Sequence, residues 1–140
     1  MAITPYLYYR DVNSIMSFLS QAFGFRKFGA TMKGPDGKVH HGAMQFDDAI
    51  VMMGRPPGAY RNPKQLGQAT QSLYINVTDI DKHFRKAKKA GANIIEEPAD
   101  TEYGHRRYGA TDPEGHEWYF AQELRRPRAK PKAPRKKSNP

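Results

Sequence analysis

The chain contains no cysteine. That single absence removes a disulfide framework, a thiolate metal site and a cysteine nucleophile. No apolar run approaches the roughly 18 residues that a membrane-spanning helix needs. The opening residues, Met-Ala-Ile-Thr-Pro-Tyr, lack the basic and apolar regions of a secretory leader. A cytoplasmic protein without membrane association is the expectation. Acidic residues are missing from one region: positions 125–140 carry eight Lys and Arg and no Asp or Glu. That region accounts for almost all of the net charge of +9, because residues 1–124 come to only +1. Pro127, Pro131, Pro134 and Pro140 forbid a continuous helix there. The segment reads as a disordered basic tail, whose expected contribution is a weak, non-specific attraction to nucleic-acid phosphates.

What is present reads as one domain over residues 1–124, built twice on one pattern. Residues 3–9 are an aromatic strand-like run, and Asp11 is placed to cap a helix. Val12, Ile15, Met16, Leu19 and Phe23 then recur at helical spacing until Gly24. Strands are expected over 25–33, 38–46 and 49–54, the first two separated by the turn Gly34-Pro35-Asp36-Gly37. Residues 55–69, rich in Pro, Gly and Gln, show no periodicity and form a linker. The pattern restarts with a strand over 72–77, a cap at Thr78 or Asp79, the apolar stripe Ile80, Phe84 and Ala87, and a stop at Gly91. A strand over 93–97 follows. A hairpin comes last, Tyr108–Thr111 and His116–Gln122 around Asp112-Pro113-Glu114-Gly115. Neither half alone can bury both faces of its sheet. The expected fold class is therefore α+β, two tandem βαβββ modules (3–54 and 70–124) forming a curved mixed sheet around a cleft.

This duplicated order resembles the vicinal oxygen chelate superfamily, the group of glyoxalase I, bleomycin-resistance proteins and extradiol dioxygenases. The resemblance covers about residues 3–122. It is carried by Val77-Thr78-Asp79-Ile80-Asp81 leading into a helix ended by Ala90-Gly91-Ala92, and by Tyr103-Gly104-His105-Arg106 followed by Asp112-Pro113-Glu114-Gly115-His116-x-Trp118. It implies outer helices, a ligand cleft between concave sheets, and modules that pair within a chain or across a homodimer, the dimer being expected. It also implies a divalent metal held by His or Gln on a module's first strand and Glu on its last. In this chain those positions fall near Thr4 and Ser72 (with Gln71 beside it), near Met52 and on Tyr119. None offers the imidazole nitrogen or carboxylate oxygen that such an ion wants. No metal and no cofactor are expected.

Strand alternation assigns the faces. Leu73, Ile75 and Val77 go beneath the helix, and Trp118 and Phe120 into the core. Tyr6, Tyr8, His41, Gln45, Tyr74 and Tyr119 are left to line the cleft, where phenols can stack on a flat ligand and bond its polar rim. The resemblance places the Tyr-Gly-x-Arg segment near the cleft mouth, which makes Arg106 the expected anchor for an anionic or carbonyl-bearing ligand. His116, after a turn glycine, reads as structural, and His83, among lysines, as solvent-facing. No catalytic residue is assigned. The expected function is metal-independent binding of a small planar or aromatic ligand. The alternative is a glyoxalase-type lyase, isomerase or dioxygenase with an atypical metal site drawn from His41, His105, His116 or Glu117.

Overall fold

Both long helices are fixed at their ends by the residues the spacing picks out. In the computed structural model, which describes residues 2–124, helix α1 spans Val12–Phe23 and its Asp11 carboxylate accepts the Ser14 N–H at 3.1 Å. Gly24 closes the helix in the left-handed conformation, φ 81°, which a side chain would disfavour. Helix α3 (Ile80–Lys89) repeats the device, with Asp79 accepting the Lys82 N–H at 3.2 Å. The basic segment 125–140, with the tail expected there, lies outside the described residues.

The strands form two mixed sheets, giving an α+β fold. In the first, β1 (Tyr6–Tyr8) pairs in parallel with β5 (Ala49–Gly54). β5 pairs antiparallel with β4 (Val39–Phe46), which carries the short strands β2 (Arg26–Lys27) and β3 (Met32–Lys33). In the second, β6 (Ser72–Asn76) pairs in parallel with β9 (Glu117–Glu123), followed by β8 (His105–Thr111) and β7 (Asn93–Asp100). The duplication extends to register. Tyr6 lies opposite Met52, itself opposite Ala43, and in the second sheet Tyr74 lies opposite Tyr119, itself opposite Gly109.

Several local expectations change. The strands expected over 93–97 and 108–111 are longer, β7 running on to Asp100 and β8 beginning at His105. The strand expected over 25–33 is broken into β2 and β3, with Gly29 at φ 72° turning the chain away from β4 between them. The linker holds a one-turn helix, α2 (Pro63–Leu66), started by Asn62 and Gln65 in a reciprocal capping box with Pro63 in its first turn. Four residues are too few to show a period, so only the cap could have announced it.

One core serves both modules. Phe23, at the end of α1, meets Trp118 and Phe120 of β9 at ring separations of 5.6 and 4.7 Å, and Phe25 meets Trp118 at 5.6 Å. Helices α1 and α3 pack on each other over this core, with Leu73, Ile75 and Val77 half-buried against it. His83 belongs here too, contrary to the expectation that it faces solvent. Its Nε2 donates to the Phe23 carbonyl at 2.9 Å and its Nδ1 accepts from the Tyr108 hydroxyl at 2.6 Å. Counting its neighbours as lysines misleads, because Lys82 and Lys86 lie on the adjacent, outward face of the helix.

The turn between β8 and β9 makes the second joint. Glu114 reaches across to the β1–α1 junction, where its carboxylate accepts the backbone N–H groups of Arg10 (2.7 Å) and Asp11 (2.8 Å) and the Asn62 amide (2.9 Å). Asp112 accepts from the Tyr9 hydroxyl at 2.6 Å, from the Trp118 indole at 3.0 Å, and from two N–H groups of its own turn. Burial pushes the Asp112 carboxyl up in pKa, against the pull of those donors, and pushes the Tyr9 phenol well up. Charge-assisted bonds of this kind contribute about 1.5–3 kcal/mol each when buried. The hairpin thus holds module one as well as completing module two.

Candidate functional site

Each sheet has one face on the common core and one open face, and the open faces carry the residues singled out from sequence except Arg106. On the first, the Tyr6 hydroxyl bonds His41 Nδ1 at 2.9 Å, and the Tyr8 ring meets Tyr6 edge-on at 6.0 Å. Gln45 lies further along β4, between Arg26 and Ile50. Tyr60, from the linker, joins them by donating to the Tyr8 carbonyl at 3.0 Å. The same carbonyl receives His116 Nε2 at 2.8 Å, so His116 holds the strand that presents Tyr6 and Tyr8.

On the second face, the Tyr74 hydroxyl bonds His105 Nδ1 at 2.8 Å, a counterpart of the Tyr6–His41 pair. Tyr119 lies flat over Gly109, where a Cβ would come within 2.5 Å of its ring, and the Arg107 guanidinium stacks above it at 4.8 Å. Glu96 holds Arg107 through Nε at 2.8 Å and Nη2 at 3.3 Å, and Nη1 donates to the Tyr103 hydroxyl at 3.3 Å. Burial and the neighbouring Tyr103 push the Tyr74 phenol up to about 12. Hydrogen bonding from Tyr74, with the Arg107 charge, holds the Tyr103 phenol below its ordinary value.

The structure places Arg106, the anchor expected from sequence, off this face. It pairs with Asp81 of α3 and Asp100 of β7, both at 3.0 Å, on the same side of β8 as the buried Tyr108. Alternation fixes the reason: residues 106 and 108 share the core side, and 105, 107 and 109 share the open one. Arg107 is the arginine beside Tyr119. Extending the alternation of β8 back from Tyr108 would have found it.

The structure brings Tyr6, Tyr8 and His41 together on one face and Tyr74 and Tyr119 on the other, and no hydrogen bond or ring contact joins the two groups. The donor set does not fit a divalent metal. Tyr6 and Met52 are strand neighbours, as are Tyr74 and Tyr119, and no three His, Asp, Glu or Cys side chains converge among the described residues. His41, His105 and His116 are each committed to a different partner.

The profile of the Glyoxalase/Bleomycin resistance protein/Dioxygenase superfamily matches residues 3–120. An uncharacterized protein of Mycobacterium bovis is 32% identical over 129 residues, covering 89% of this chain and 84% of that protein. Among solved structures, TioX from Micromonospora sp. ML1 is similar at TM-score 0.73 and 29% identity, over 89% of this chain and 99% of that one. A genomically encoded fosfomycin resistance protein, FosX, from Listeria monocytogenes shares the fold at TM-score 0.64 and 11% identity, over 87% of this chain and 92% of that one.

Proposed function

Because the chain belongs to the glyoxalase/bleomycin resistance protein/dioxygenase superfamily, we propose that it binds a small planar or aromatic molecule without a divalent metal, in a site completed by a second copy of itself. The observation that carries this reading is the open tyrosine surface. Tyr6, Tyr8, Tyr74 and Tyr103 remain 46, 52, 43 and 58% exposed although each is hydrogen-bonded or ring-packed in place. Half-exposed aromatic rings leave on the order of 100 Å² each, so covering four of them is worth roughly 10 kcal/mol gross. Rings held in position lose little freedom when a flat ligand stacks on them.

Both open faces point away from the common core, so a ligand enclosed between a first and a second sheet takes the two from different copies. One face then supplies Tyr6, Tyr8, His41 and Gln45, and the other supplies Tyr74, Arg107 and Tyr119. The two phenol–imidazole pairs offer donors and acceptors to a ligand's rim, and the Arg107–Tyr119 stack offers a flat surface.

Calorimetric titration with a panel of planar aromatic compounds tests the reading. The expected result is binding that survives chelator treatment unchanged and weakens at least about tenfold, or ~1.4 kcal/mol, in Tyr119→Ala. Affinity that vanishes on chelation and returns with added divalent ion would overturn metal independence. Affinity equal to that of the parent in both Tyr119→Ala and Tyr74→Ala would overturn the site.

A further inference from the structure

A concentration of positive charge lies apart from both tyrosine faces. Where the β1–α1 junction meets the turn between β3 and β4, a depression of about 710 Å³ opens to solvent. Arg10, Lys33, Lys38 and Arg55 line it, each from a different segment of the chain, and all four are exposed. Val39 is its one aliphatic side chain, half-buried, and no aromatic ring lines it. Residues 1–124 together carry a net charge of only +1, so four cations around one depression are a local excess.

The acids nearby are already occupied. Asp11 is the only carboxylate in the lining, and it accepts the Ser14 N–H at 3.1 Å and the Ser14 hydroxyl at 2.8 Å. Those bonds hold its carboxyl below the ordinary value, and the charges of Lys38 and Arg55 add to the effect. Asp36, in the adjoining turn, pairs with His40 at 3.1 Å and with Arg55 at 3.5 Å. Arg10, Lys33 and Lys38 have no ion-pair partner among the described residues. Setting both carboxylates against the four cations still leaves a surplus of two positive charges. The main chain beneath the cations is pinned. Glu114 accepts the Arg10 N–H at 2.7 Å, and Lys33 lies opposite Val39 in the β3–β4 ladder. Asp36 accepts the Lys38 N–H at 2.9 Å, and the Arg55 N–H donates to the His40 carbonyl at 2.8 Å.

We propose that this depression binds a small soluble ligand carrying two or more phosphate groups. A phosphate carries about −1.5 to −2 at neutral pH, so two adjacent phosphates bring more charge into one place than carboxylates do. A concave surface lined by one sign of charge gathers such a counter-charge, which an open convex surface does less well. Arg10 and Arg55 supply guanidinium forks that span two phosphate oxygens, and Lys33 and Lys38 supply point charges. The volume is within the range of small-molecule sites and larger than one inorganic ion needs. Without an aromatic ring in the lining, affinity rests on charge and not on stacking. With only the half-buried Val39 as an aliphatic group, nothing is available to insert between lipid headgroups. This inference does not rest on the tyrosine-face reading, and either stands if the other fails.

Calorimetric titration of the full chain with inorganic pyrophosphate, in divalent-free buffer at about 100 mM NaCl, tests it. The expected result is one site whose affinity falls as salt is raised to about 300 mM. Inorganic phosphate and citrate should each bind at least about tenfold more weakly than pyrophosphate. Lys33→Gln/Lys38→Gln should weaken pyrophosphate binding at least about tenfold, and Arg55→Gln should act in the same direction. Lys82→Gln/Lys89→Gln removes as many charges from α3 and should leave the affinity within about twofold of the parent. Melting temperatures of all variants confirm their folding. No binding of pyrophosphate at millimolar concentration overturns the proposal. So do equal losses in the two double variants, which would reduce the attraction to general charge. Citrate binding as tightly as pyrophosphate overturns the phosphate class. Tighter association with vesicles containing phosphatidylinositol bisphosphate than with pyrophosphate overturns a soluble ligand.

Discussion

Tyr119 shows how one residue's surroundings decide its use. Its ring lies on the sheet instead of standing off it because position 109 has no side chain: a Cβ there would come within 2.5 Å of the ring. The same relation holds between Gly54 and Tyr6 in the first module. Gly109→Ala should therefore leave stability within about 1 kcal/mol, since the obstacle is a movable ring and alanine suits a strand better than glycine. It should push Tyr119 off the sheet and away from Arg107. The ring-current shift of the Arg107 side-chain protons in NMR spectra reports this, and an unchanged shift in the variant would refute the account. At this scale the sequence was partly legible. Alternation put Tyr6, Tyr74 and Tyr119 on open faces, but the choice between neighbouring arginines needed β8 to run back to His105, and the sequence expectation starts that strand at Tyr108. Tyr60 was out of reach, because it comes from a linker whose path depends on the Asn62 cap and on Glu114.

Between elements, His83 is the clearest case of a polar group joining what the hydrophobic pattern leaves separate. It ties α3 to the end of α1 through the Phe23 carbonyl and to β8 through Tyr108. Burial lowers its pKa from the ordinary 6.5, with the Phe23 carbonyl acting against this and Lys86 adding to it. The native state therefore takes up its proton at lower pH than the unfolded chain. The contribution to stability is full above about pH 6.5 and is lost as pH falls from there toward the native value, at up to about 1.4 kcal/mol per pH unit. Urea unfolding across pH 5–8 should show that loss in the parent. His83→Leu should lack it, while being less stable at pH 8 by about 2 kcal/mol or more, because the Phe23 carbonyl loses its donor and Tyr108 its acceptor. A parallel decline in both proteins would assign the pH dependence elsewhere. The helix itself was legible from its cap and apolar stripe. The role of His83 was not, since it depends on α1 reaching over from the other module.

The whole molecule is two copies of one plan joined back to back, with helices and core shared and the tyrosine faces turned outward. The repeat was legible because caps, stops and turns recur at matching intervals. How the halves join was not, because the bonds that join them span about a hundred residues of sequence, as Tyr9 to Asp112 does. If a second copy covers the open faces, sedimentation equilibrium should find a dimer at micromolar concentration. Tyr6→Glu/Tyr74→Glu should shift it to monomer with the far-ultraviolet circular dichroism of the parent, since both side chains project away from the core. A parent that stays monomeric at high concentration would leave each face complete on its own.

The grip of Glu114 on module one has an evolutionary side. It grasps main-chain N–H groups at positions 10 and 11 and not their side chains, so the bond survives any replacement at Arg10 except proline, which has no N–H to give. The frame that aims Tyr6 and Tyr8 is therefore insulated from drift in the residues around it. A lineage of such proteins can rewrite its open faces one substitution at a time without dismantling the joint on which those faces hang.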